Sequence, residues 1–263
     1  VESNYETKIF AACYLTFKPT ESIALSLFTG GNQLRGDSLR MHTLDGRQLI
    51  PVPLMQNDIF TKNSSTINGI TGLNLDVALK DIRLYGQIVA DKYGNSVLIA
   101  KQLGFHYFNV LGIKDLHVQT EWNEVPKNFY SGMTAKLSYS HFNLPSAHPK
   151  GNNFKELFVK IDYKYKYWYL SSRSNFYFTD GGTLQQQFAN NSIFNPTTSS
   201  NPAVNGTTIL ESVELGFRFN RLYNGTIFLN YIGRASAYDT TNLTSQSLWI
   251  GLRTAITNEY FDF

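Results

Sequence analysis

The sequence predicts an all-β protein, an antiparallel up-and-down transmembrane β-barrel. Three observations lead there. Side chains alternate apolar and polar through long windows, which is the mark of a strand with two unlike faces. Many windows reach ten residues or more, whereas soluble strands average about 5–6 and a tilted membrane-crossing strand needs about 9–11. The composition is rich in aromatics (14%) and poor in charge (16%) over 263 residues, against about 25% charged in an ordinary soluble domain.

Eleven strands are expected: 6–17, 22–29, 69–79, 82–91, 97–109, 116–125, 154–166, 167–179, 208–220, 225–236 and 246–258. The first contains Cys13, the only cysteine, read as a small apolar side chain. In the third, Leu73, Leu75, Val77 and Leu79 alternate with Asn74 and Asp76. The fourth and sixth contribute Arg83, Asp91 and Glu121 to polar faces. In 154–166, Leu157, Val159, Ile161, Tyr163 and Tyr165 alternate with Glu156, Lys160, Asp162 and Lys164. The next strand adds Arg173. In 209–220, Val213, Leu215, Phe217 and Phe219 oppose Ser212, Glu214, Gly216, Arg218 and Asn220. Arg234 follows, and in the last strand Leu248, Ile250, Leu252 and Ile256 oppose Trp249, Gly251 and Arg253. Charges of both signs would be costly in a dry core and are ordinary in a wet lumen. Aromatics gather near strand ends, at Tyr163, Tyr165, Tyr167, Trp168 and Tyr169 and at Phe176, Tyr177 and Phe178. They resemble the two interfacial girdles of a lipid-facing barrel.

The connections are expected to alternate. Tight ones fall at 18–21, 80–81, 111–115, 166–167 and 221–224; longer ones at 30–68, 92–96, 126–153, 180–207 and 238–245. That would put all tight turns on one rim and all longer loops on the other, as in barrels with short periplasmic turns and long outer loops.

Composition excludes other classes. Disorder needs few aromatics and high net charge. One cysteine makes no disulfide framework. No stretch approaches the ~20 apolar residues of a membrane helix. A net charge of +3 is too small to argue for a nucleic-acid partner, and none is expected. The chain opens on Val1 with no signal sequence after it, so a leader has been removed or the chain is a piece of something longer. A terminal aromatic, Phe263, resembles the assembly signal of bacterial outer-membrane barrels and would put the C-terminus in the periplasm. Counting back through eleven strands, the first would begin outside. Bacterial barrels have even strand numbers, so the expectation is the C-terminal portion of a larger barrel, or a chain that needs another to close it.

The stretch Tyr139-Ser-His-Phe-Asn-Leu-Pro-Ser-Ala-His-Pro-Lys-Gly-Asn-Asn-Phe-Lys-Glu156 resembles a motif of the Bacteroidota branch of the Wzi-type capsule assembly family, which includes gliding-motility proteins. Asn143, Pro145, Ala147, His148, Pro149, Gly151, Asn153, Phe154 and Glu156 carry the match. Ile23-Ala-Leu-Ser-Leu-Phe28, Leu84-Tyr-Gly-Gln87, Gln102-Leu-Gly104, Glu121-Trp-Asn-Glu-Val125 and the ending Asn258-Glu-Tyr-Phe-Asp-Phe263 fit in the same order. Ser146, Asn152 and the segment Pro126-Lys-Asn-Phe-Tyr-Ser131 depart from the family pattern. The resemblance covers about residue 20 to the end, and with it 1–263 is read as the C-terminal portion of a single outer-membrane barrel domain of about 18 strands. It further implies a protein that binds or organises surface polysaccharide in capsule assembly, or serves gliding-motility machinery. Implied partners are outer-membrane lipid and lipopolysaccharide, surface polysaccharide, and other outer-membrane, motility or secretion subunits.

Glu121, Trp122, Asn123, His141, His148, Asn152, Asn153 and Glu156 concentrate in and beside the segment 126–153. An aromatic face with amide and carboxylate groups suits a carbohydrate. The alternative is that Pro145, Pro149, Gly151 and the asparagines fix a loop folded into the barrel mouth. His141 and His148 lack the further convergent ligands of a metal site. No catalytic motif is present and no cofactor is implied, so the expectation is a non-enzyme. A porin-like channel and a soluble lectin-like β domain are the other readings.

Overall fold

The computed structural model describes residues 7–36, 67–132, 137–141, 144–145, 148, 150–182, 204–220, 223–238 and 241–254. The strands are β1 (Thr7–Thr20), β2 (Ile23–Gly36), β3 (Ile67–Leu79), β4 (Ile82–Tyr93), β5 (Ser96–Phe108), β6 (Leu116–Val125), β7 (Ser140–His141), β8 (Leu144–Pro145), β9 (Phe154–Tyr165), β10 (Trp168–Gly182), β11 (Val204–Asn220), β12 (Gly225–Tyr238) and β13 (Thr241–Arg253). Eleven of them form one sheet in the order β1-β2-β3-β4-β5-β6-β9-β10-β11-β12-β13, and β7 pairs with β8 apart from it. Every pairing in the large sheet is antiparallel between chain neighbours, which is up-and-down topology. Among the described residues no helix is long and apolar enough to cross a membrane.

All eleven expected strands are present, with shifted ends. The main extensions are at β2, which runs on to Gly36, and β11, which starts at Val204. The last strand begins earlier than its leucine pattern does, at Thr241, and is described only to Arg253, so Ile256 lies outside the described residues. The strict alternation of tight and long connections does not hold. Residues 92–96 are no loop, because Tyr93 pairs with Ser96 across Gly94-Asn95. Gly94 takes φ +62 there, the left-handed conformation that a two-residue hairpin asks of glycine. Likewise Tyr238 pairs with Thr241, leaving a two-residue link where a longer loop was expected. The long connections on that rim are 37–66, 126–153 and 183–203.

Register separates two faces across the whole sheet. One row reads Ala24, Asp76, Tyr85, Gly104, Glu121, Phe158, Asn175, Leu210, Arg234 and Ser245 from β2 to β13. The neighbouring row on the other face reads Leu25, Leu75, Gly86, Leu103, Trp122, Leu157, Phe176, Ile209, Ala235 and Thr244. All thirteen charges assigned to polar faces from the sequence, Glu156 included, share the first face. The second face carries Lys101, Glu124 and Lys155 side by side near the long-loop rim, with Lys155 Nζ 3.7 Å from Glu124 Oε1. The girdle reading needs one correction. Tyr165, Trp168 and Phe178 stand on the apolar face, but Tyr169 and Tyr177 alternate onto the polar one.

Burial is inverted relative to a soluble sandwich. The apolar face is exposed: Leu103 is 67% accessible, Leu215 45% and Ile250 81%. The buried apolar cluster, Val89, Ala100, Val125, Phe129 and Phe154, lies on the polar face and under the segment that follows β6. An exposed apolar surface of this extent marks a partner or a membrane. The polar face is concave. Its side chains reach past an intervening strand, as Asn74 of β3 does to Tyr14 of β1 (2.6 Å) and Arg253 of β13 does to Glu214 of β11 (3.1 Å).

Aromatic rings on that face lie over glycines of the adjacent strand. Phe28 covers Gly72, Tyr85 covers Gly104, Tyr169 covers Gly216, Tyr238 covers Gly206 and Phe228 covers Gly251, each pair directly opposed in register. A methyl group at any of these glycines would occupy the ring's own space. Such notches pin register, because a slipped strand offers the ring a side chain instead of a gap. Gly216→Ala should therefore lower unfolding stability by about 1–3 kcal/mol. In a Tyr169→Ala background the same change should be nearly neutral. Urea unfolding of the four proteins in lipid vesicles measures the cycle.

Candidate functional site

The described residues between β6 and β9 lie across the polar face, and those at 126–132 and 137–139 are fastened to it at several strands. Tyr139 Oη donates to the Gly30 carbonyl of β2 at 2.6 Å, with the Asn68 carbonyl of β3 at 3.3 Å as a second acceptor. The Ser138 carbonyl accepts from Lys8 Nζ of β1 (2.8 Å) and from Asn32 Nδ2 of β2 (3.3 Å). Asn68 Nδ2 donates to the Leu137 carbonyl (3.2 Å). On β4 the Asp91 carboxylate accepts the Tyr130 N–H at 2.7 Å. Tyr130 sits at φ 66, a conformation that costs a bulky residue about 1–3 kcal/mol. Phe129, Leu137, Ser138 and Asp91 are fully buried in this contact. A chain segment laid on a sheet face must satisfy its backbone groups. Here side chains of the sheet do so.

Where the segment re-enters the sheet, Glu156 of β9 is the centre of a second group. Its carboxylate accepts from Asn123 Nδ2 of β6 (2.9 Å), Asn175 Nδ2 of β10 (2.6 Å) and His148 Nε2 (3.1 Å). His148 Nδ1 accepts the Lys150 N–H at 3.1 Å, which leaves the ring proton on Nε2, facing Glu156. The imidazole packs on Phe154 with centroids 4.5 Å apart, and Lys150 Nζ stands 5.4 Å from the Tyr177 ring. Burial lowers the Lys150 pKa from the ordinary lysine value. Glu156 itself is buried and taken up by these donors, so it holds the segment rather than facing open space.

Glu121 belongs to a third group, nearer the tight turns. Its carboxylate accepts from Tyr85 Oη, from Gln119 Nε2 (2.6 Å) and from Gln102 Nε2 (3.2 Å). Beside it, Gln87 Nε2 donates to Asn74 Oδ1 (2.7 Å), and Asn74 Nδ2 to Tyr14 Oη. These side chains line a cavity of about 590 Å³ on the concave face. A smaller cavity of about 440 Å³ lies under the docked segment, and Gln87 and Gln102 line both. Among the described residues no group of three or more His, Cys, Asp or Glu converges as a metal site would.

The residues singled out in the sequence are thus divided. Asn123, His148 and Glu156 meet. Glu121 sits in the open cavity, apart from them. Trp122 projects from the apolar face, opposed to Leu103 and Leu157, because adjacent residues of a strand point to opposite sides. Asn152 Nδ2 donates to the Phe129 carbonyl (2.8 Å), and Asn153 forms a left-handed corner at φ 60 whose N–H bonds the Pro126 carbonyl. His141 is described only through its backbone, paired with Leu144. Sequence reading missed Tyr85, Gln102, Gln119, Asn175 and Tyr177. Each sits at an alternate position on a polar face, which was legible, but which strand faces which was not. No protein-family model and no curated protein matches the chain.

Two expectations follow for the docked segment. Tyr139→Phe removes the bond to Gly30 and should loosen docking by about 1–2 kcal/mol, seen as faster protease cleavage within 126–153 while the strands stay protected. Burial, and then the nearby Asp91, pushes the Tyr130 phenol up to about 12, and burial holds Tyr139 well above 10. Each phenol therefore binds its proton more tightly docked than undocked. Their contribution to docking is complete below pH 10 and declines as pH rises through the docked-state values. Tyrosinate absorbance of the wild type minus that of Tyr130→Phe should show a late-titrating phenol.

Proposed function

We propose that the chain forms part of the wall of a bacterial outer-membrane β-barrel that binds surface polysaccharide. Its role would be in capsule assembly or attachment, or in gliding-motility machinery at the cell surface. The observation that carries this reading is the segment after β6, bonded to β1, β2, β3 and β4 across the polar face while the other face stays apolar and exposed. A concave face partly covered by the chain's own segment suits a binding or scaffolding protein better than a diffusion pore. The likeness of Asn143–Glu156 to the Wzi-type motif falls on this same segment. In this reading the apolar face meets lipid and lipopolysaccharide, the long connections lie outside the cell, and the tight turns and C-terminus face the periplasm. Motility or secretion subunits are further partners.

The sheet edges bear on closure. β1 and β13 are the first and eleventh strands of an antiparallel series, so they run in the same direction. Pairing them directly would make a parallel seam, and leaving them open in lipid would strand a ladder of backbone groups. An odd number of further strands, from another segment or subunit, would close the barrel with antiparallel seams.

The second reading is a porin-like channel for small solutes or glycans. It is favoured by the two cavities that meet at Gln87 and Gln102. Native protein purified in detergent separates the two. Retention on immobilised surface polysaccharide with little single-channel conductance in planar bilayers supports the binding role; steady conductance without retention supports the channel. Leu215→Arg should cost about 2–4 kcal/mol of stability in a bilayer, as for a cation near mid-membrane. The adjacent Glu214→Gln should cost less, and equal losses would sink the assignment of the apolar face to lipid.

A further inference from the structure

We infer that the cavity around Glu121, on the turn side of the docked segment, is a binding site for an uncharged saccharide that donates hydrogen bonds to it. This rests on the proposed polysaccharide-binding role and gives it a place and a ligand charge.

The argument starts from what each side chain has left to offer. A carboxylate only accepts, so Gln102 and Gln119 must turn their amide nitrogens to Glu121. That orientation is fixed by chemistry, with no amide-flip ambiguity. It leaves both amide oxygens as the groups to accept from a ligand. Gln87 has its nitrogen on Asn74, and its oxygen is left in the same role. Glu121 thus acts as an orienting centre. It already accepts from three donors, two on Oε1 and one on Oε2, and leaves the amide oxygens of its glutamine neighbours as acceptors at the cavity wall.

Charge narrows the ligand. The lining includes Lys18 and Arg83 against Glu21, Asp76 and Glu121, one negative charge in excess with His106 neutral. Arg83 is held on Asp76 by two bonds from Nε at 2.8 and 3.0 Å and a third contact from its terminal nitrogen at 2.7 Å. An anionic sugar or a phosphate would meet acceptors and a net negative wall. A cationic ligand would have to compete with the three donors already on Glu121. A hydroxyl-rich neutral chain fits: each hydroxyl donates one bond and needs no counter-charge. Tyr14, 58% accessible, supplies a ring face at the cavity edge, and aromatic surface with a few placed polar groups is what small-ligand sites use. The volume, about 590 Å³, is within the usual range for such sites.

The test uses the whole protein in a detergent without a sugar head group, since a maltoside would compete. Wild type, Gln102→Leu, Gln119→Leu and Lys155→Gln, a change on the opposite face of the sheet, are passed over a panel of immobilised neutral oligosaccharides and of uronic-acid oligosaccharides. Neutral members should be retained by wild type and by Lys155→Gln. Their affinity should fall at least tenfold in each glutamine variant, with unchanged urea midpoints confirming that the variants fold. No retained neutral glycan, retention of acidic glycans only, or equal retention by the glutamine variants would overturn the site. If native surface polysaccharide is still held equally by all four proteins, the proposed function stands and this cavity is not where it acts. If no protein holds any glycan, both fail.

Discussion

Register is the constraint on which everything else in this protein depends. Along the strands one parity gathers nearly all the charges, amides and the small inner apolar cluster, and the other is mostly leucine, isoleucine, valine and phenylalanine. A slip of one residue in the central strands would bring charges such as Glu121 or Glu214 onto the apolar face and leucines onto the polar one. With the apolar face in lipid, as proposed, each such exchange would cost several kcal/mol. The ring-over-glycine pairs enforce the same register sterically. Phe28 on Gly72 and Tyr85 on Gly104 fit only when the strands are aligned as they are.

The docked segment follows from this arrangement. A concave polar face of this size cannot pack on itself, and its buried groups need partners. Asp91, Asn32, Asn68 and Lys8 find them in backbone groups of the segment after β6, and the small apolar cluster forms where Phe129 meets Val89, Ala100 and Val125. The only buried core of the described residues is therefore inside the curve of the sheet and made partly of loop. That explains why so few of the described apolar residues are buried. Most of the large ones stand on the other, exposed face.

The docked segment also divides the concave face. On the side of the long connections Glu156 is saturated by Asn123, Asn175 and His148, and anchors the segment's return. On the turn side Glu121 accepts from Tyr85, Gln102 and Gln119, and faces open space. The two carboxylates have the same chemistry and different consequences, because one is covered and the other is not.

The sequence by itself determined the strands, their two faces and the sorting of charge between them. These depend on period-two alternation, a local property that each strand carries alone. It also marked the stretch around Asn143–Glu156 as unusual. It misjudged two hairpins, since Gly94-Asn95 and the link after Tyr238 look like loops until their flanking strands are seen to pair to the end. Glu121, Trp122 and Asn123 were grouped because they are contiguous, and their own alternation separates Trp122 from the other two. Only the tertiary structure decided which residues meet. Glu121 lies 36 residues from Tyr85, and Tyr139 lies 109 from Gly30. Those contacts depend on strand order, register and the curvature that brings side chains of non-adjacent strands together. None of these is written in any single segment.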